Sequence, residues 1–67
     1  MAVVKVIEVL AQSDKSWEDA VQIGVREIAK TVRAIKSVYV KDLQAVVEGD
    51  AIVAYRAAMK VSFAVER

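Results

Sequence analysis

The sequence contains no cysteine, no histidine and no proline. Without cysteine there is no disulfide, no thiolate nucleophile and no sulfur-ligated metal. Without histidine the side chain best suited to proton transfer near neutral pH is missing, and with it most zinc sites. The two glycines, Gly24 and Gly49, stand apart, so no glycine-rich phosphate loop exists. Charge of one sign is lacking too. Ten basic and nine acidic residues are interspersed to a net +1, which leaves no electrostatic footprint for a nucleic acid. Long uncharged runs are absent. The opening "MAVVKVIEVL" is broken by Lys5 and Glu8, so neither a signal peptide nor a membrane span is expected, and a soluble cytoplasmic protein is the natural expectation. No Ser-His-Asp set or cysteine nucleophile can be assembled, and enzymatic chemistry is not expected.

What the chain does have is apolar surface. It is 57% hydrophobic over 67 residues, one domain spanning residues 1–67. A domain of this size buries only about 60% of the surface its unfolded chain exposes. Association with copies of itself is the outlet for the remainder.

Periodicity divides the chain into four elements. Val3 to Leu10 is rich in β-branched residues and reads as a strand. Ser16 followed by Asp19 three positions later nearly matches a capping box, which makes Ser16 the N-cap of a helix. Trp17, Ala20, Val21, Gly24, Val25, Ile28, Ala29, Val32 and Ile35 then recur at spacings of three and four. These predict one amphipathic helix from Trp17 to Ile35, acidic at its start and basic at its end. Gly24 within it costs about 1 kcal/mol relative to alanine, which suggests the close approach of another backbone. Val38 to Val47 reads as a second strand, Glu48 to Asp50 as a turn around Gly49, and Ala51 to Glu66 as a third strand with unbroken alternation.

The order β-α-β-β permits a three-stranded antiparallel sheet of spatial order 1-3-2 wrapped on the helix, an α+β fold. The lengths do not match. The third strand spans roughly 50 Å at ~3.3 Å per residue, and a helix of the predicted length about 28 Å. The uncovered sheet, including a small-residue face of Ala54, Ala58, Ser62 and Ala64, must meet solvent or another subunit.

Three segments, "KVIEVLAQSDKSWEDAVQIGVREIAKTVR", "VYVKDL" and "YRAAMKVSFAVE", in this order and at this total length, resemble the dodecins. These are small β-α-β-β proteins that assemble twelve copies into a hollow sphere, so the resemblance implies a dodecin-like domain and a homo-dodecamer. Archetypal members stack flavins in pairs between tryptophans from symmetry-related subunits just after the helix, and a glutamine of the third strand bonds the ring. In this sequence the tryptophan position falls at Ser37 and the glutamine position at Arg56. Serine cannot supply a stacking platform worth about 1–3 kcal/mol per ring, and an arginine offers donors but no acceptor.

Beside the resemblance stand the residues' own readings. Asp42 matches a carboxylate of the family's second strand and is otherwise a solvated or salt-bridged strand residue. Arg56 favours an anionic ligand group, or else pairs with Asp42 or Glu48. Tyr39 and Tyr55 either line a pocket or pack on the sheet, and Trp17, in phase with the helix stripe, is a packing residue. Asp14, Glu18 and Asp19 gather at the helix start, where the dipole alone favours acids. Copies brought together by symmetry would offer oxygen ligands to a hard cation. The expected function is therefore a hollow homo-oligomer that binds or stores a small ligand between subunits. Calcium at Asp14, Glu18 and Asp19 is placed ahead of flavin or another cofactor at Ser37, Tyr39, Asp42 and Arg56. A purely structural or protein-docking module is the remaining alternative.

Overall fold

The computed structural model describes residues 3–65. Its elements are β1 (Val3–Ser13), α1 (Trp17–Ile28), β2 (Ile35–Glu48) and β3 (Ala51–Val65). Both outer strands pair antiparallel with β3, giving the order β1-β3-β2. The expected architecture is the one observed, with different element ends. β1 continues past Leu10 to Ser13, and β2 begins at Ile35, inside the stretch expected to be helical. The expected strand end at Glu66 lies outside the described residues.

The helix starts where the sequence places it. The Ser16 hydroxyl accepts from the Asp19 N–H at 2.9 Å, satisfying one of the free donors of the first turn. It ends earlier than the apolar spacing suggests. Ala29 is the C-cap, the N–H groups of both Thr31 and Val32 donate to the Ile28 carbonyl, and the chain leaves through Ala34 at φ 60. That left-handed backbone closes the turn without a glycine, and the Ala34 carbonyl is fixed by the Ala64 N–H at 3.1 Å. Val32 and Ile35 keep the helical spacing only by coincidence. Ile35 belongs to β2, opposite Phe63, and packs on the core.

The period-two alternation of β3 decides which face is covered. Ala57, Met59 and Val61 are at most 1% exposed and form the core with Ala11 and Ala20. Ile7 and Val9 of β1 and Val21 and Ile28 of α1 pack against them. Gly24 is the point of closest helix-to-sheet approach. A Cβ there would stand 2.8 Å from Met59 Cε and 3.2 Å from Ala11 Cβ, so what comes closest to Gly24 is side chains, where another backbone was expected.

The mismatch between helix and sheet is larger than the sequence suggests. Twelve helical residues span about 18 Å, against a longest dimension of 51 Å for the molecule. Among the described residues no helix is long and apolar enough to cross a membrane. Large apolar side chains consequently stay in solvent, among them Val4, Val6 and Leu10 of β1, Leu43 and Val47 of β2, and Ile52 and Val53 of β3.

Candidate functional site

In an antiparallel ladder, residues directly opposite one another point to the same face. Ser37 stands opposite Ser62, Tyr39 opposite Lys60, Asp42 opposite Ala58, and Gln44 opposite Arg56. On the other side of β3, Glu8 faces Lys60, Leu10 faces Ala58 and Gln12 faces Arg56. All of these occupy the face turned away from the α1-covered core. Ser37, Tyr39, Asp42 and Arg56, nominated from the sequence, therefore share one wall.

Two irregularities of β2 create this arrangement. The register shifts between Ile35 and Ser37 and again between Val40 and Asp42, each step taking one extra residue of β2. Tyr39 and Asp42 are three residues apart, and regular alternation would send them to opposite faces. The extra residue at Lys41 returns Asp42 to the face of Tyr39. The one at Lys36 does the same for the junction: Ile35 goes to the covered side, and Ser37, two residues on, to the open one. Ser37 thus lies within β2 and not at a helix end.

Tyr39 is the exposed aromatic of this wall, 65% accessible. Tyr55 is not part of it. It stands opposite Ser13 and Ala45, and its ring meets that of Trp17 edge-on with centroids 4.9 Å apart. The Trp17 indole N–H donates to the Gln44 carbonyl at 2.9 Å, tying the helix start to β2. Trp17 is a packing residue of the covered face and offers nothing to the open one.

Arg56 departs from its expected partners. Its Nε donates to Gln12 Oε1 at 2.7 Å, toward β1, and it forms no ion pair with Asp42 or Glu48. Among the described residues the one ion pair within 4 Å joins Lys30 to Glu27 on the helix. Gln12 and Gln44, which flank Arg56 from both sides, were not singled out from the sequence. Their signal was the pairing register itself. A shallow groove of ≈ 350 Å³ lies beside this row, its lining including Glu8, Leu10, Lys41, Gln44 and Ala58.

The acids at the helix start do a different job. The Asp19 carboxylate accepts from the Ser13 hydroxyl at 2.6 Å, and that hydroxyl in turn accepts from the Lys15 N–H at 2.9 Å. Ser13 is 5% exposed, so this bond satisfies a buried polar group where β1 hands over to α1. Among the described residues no three acidic, histidine or cysteine side chains are grouped to hold a metal ion within one chain. The preference for calcium at Asp14, Glu18 and Asp19 gains no support from the structure, where Glu18 and Asp19 complement the helix dipole and Asp19 also takes the Ser13 bond.

Comparison with known proteins agrees with this fold. A search of curated proteins gave no match. Among solved structures, an arginine-to-alanine variant of the T. thermophilus dodecin superposes with a TM-score of 0.95 at 24% identity, all of each chain being covered. The dodecin from Streptomyces davaonensis gives 0.94 at 17% identity, covering 98% of this chain and 97% of its own. That from Streptomyces coelicolor gives 0.94 at 21% identity, covering 98% and 94%. The Dodecin family model matches residues 3–66, nearly the whole length, and the chain accordingly belongs to the dodecin family.

Proposed function

We propose that the chain assembles with copies of itself and binds a small planar ligand of the flavin class at the open sheet face, between subunits, as a binding or storage protein with no chemistry of its own. One observation carries the reading. The two irregular steps of β2 bring Ser37, Tyr39, Asp42 and Arg56 to a single wall that α1 leaves uncovered. Family membership supports both the assembly and the ligand class. In this chain Tyr39 supplies the aromatic surface that Ser37 lacks, Ser37 and Asp42 supply hydrogen-bonding edges, and Arg56 a cationic one.

Titrating riboflavin into the full-length protein while following flavin fluorescence tests the reading. Saturable quenching at micromolar protein, weakened by Tyr39→Ala, is the expected result. An unchanged flavin signal removes the flavin reading. Calorimetry with calcium then decides what remains: a saturable heat restores the cation reading, and silence leaves a structural module.

A further inference from the structure

Past the C-terminal end of α1, on the covered side of the sheet, lies a second cavity of ≈ 500 Å³. Its lining includes Phe63 and Val65 of β3, Lys5 of β1, and Val32 and Arg33 of the turn that follows the helix. Lys5 stands opposite Phe63, in phase with the buried Met59 and Val61. In the covered-face rows of β3 from Tyr55 to Phe63 it is the one charged partner. Lys5 and Arg33 are both exposed, and neither has a carboxylate within 4 Å among the described residues; Glu27, at the end of the helix, is engaged by Lys30 at 2.8 Å. Nor are the two cations needed as helix caps. The carbonyls of Val25, Glu27 and Ile28 already accept from the N–H groups of Ala29, Lys30, Thr31 and Val32. The Ala64 N–H bond to the Ala34 carbonyl, at 3.1 Å, ties the turn that carries Arg33 to β3.

We infer that this cavity is a second binding site, for an amphiphilic carboxylate: Lys5 and Arg33 take the carboxylate from two sides, and an aliphatic or aromatic body lies on Phe63, Val65 and Val32. A cavity of this size, mostly apolar with a few convergent polar groups, is the usual form of a small-molecule site. A phosphate is the poorer fit. Such groups are cradled by free backbone N–H donors, and those of Thr31 and Val32 are engaged by the Ile28 carbonyl. What remains is two long cationic side chains beside apolar surface, a set that suits one small anionic head on a greasy body. The site is on the opposite side of the sheet from the wall of Tyr39 and Arg56, so it stands or falls independently of what binds there.

The test is calorimetry on the full-length assembled protein with octanoate and with octanol, which has the same chain length and no charge. Octanoate should give a saturable heat and bind at least about tenfold more tightly than octanol. Lys5→Met and Arg33→Met, both at exposed positions, should each weaken octanoate binding several-fold, with circular dichroism showing the fold retained. Lys15→Met removes a cation at the other end of α1 and should bind octanoate as the wild type does. Absence of a saturable heat, equal affinity for the two compounds, or octanoate binding undiminished in both pocket variants would each overturn the inference. Inorganic phosphate that displaces octanoate at a comparable concentration would also overturn it, because the apolar body would then contribute nothing.

Discussion

The two faces of the sheet are built from the same three strands at the same period, and they have opposite fates. On the covered face Ala57, Met59 and Val61 alternate small and large, and Met59 lies so close under α1 that a methyl group at Gly24 would meet its Cε at 2.8 Å. On the open face Leu10 is 59% exposed beside Ala58, and Tyr39 65% exposed beside Lys60. The difference is one of reach. A twelve-residue helix covers about 18 Å of a far longer sheet, so one face holds the core and the other is left uncovered in the single chain. Stability and function are thereby separated by the thickness of a strand, and substitutions one residue apart should act on different properties.

The separation breaks most severely at Val61, fully buried on the covered side. Val61→Asp places an unpaired charge in the core. It should cost about 4 kcal/mol, enough to abolish a cooperative unfolding transition for so small a domain, as followed by circular dichroism. Met59→Ala opens a cavity beneath Gly24 and should cost about 3 kcal/mol, read as a lower urea midpoint at fixed protein concentration. At the junction that sends Ile35 to one face and Ser37 to the other, the strained backbone of Ala34 offers a gain. Ala34→Gly should stabilise by about 1 kcal/mol, and an unchanged midpoint would mean the left-handed turn carries no strain. The smallest effect on the fold belongs to the open face. Leu10→Ser should change the stability of the single chain by no more than about 0.5 kcal/mol while reducing the mass of the proposed assembly in sedimentation, since its side chain is 59% exposed in the single chain.

Much of this contrast was legible in the sequence because it follows from periodicity. The alternation of Val53 through Val65 sorted β3 into two faces, Ser16 announced the helix start, and Gly49, at φ 65, marked the hairpin. The places where reading failed are those where the backbone departs from a period. Helix α1 stops at Ile28 with neither glycine nor proline to signal it, and the left-handed alanine that ends the turn has no signature in composition. The extra residues at Lys36 and Lys41 are invisible to pattern counting, yet they place Ser37 and Asp42 beside Tyr39. Candidate residues could therefore be named one by one but not assembled into a wall. The link from Gln12 to Arg56 required the pairing of β1 with β3, a contact between positions 44 residues apart. The acids at the start of α1 carried the opposite risk. Of the pattern that suggested an ion site, Glu18 and Asp19 suit the helix dipole, and Asp19 also bonds one buried serine hydroxyl.

The claim on which the rest depends is that the open face is completed only by further copies of the chain. Static light scattering of the native protein measures this directly. The account predicts a single species many times the 7.3 kDa mass of one chain. A folded, monodisperse particle of one chain's mass would contradict it.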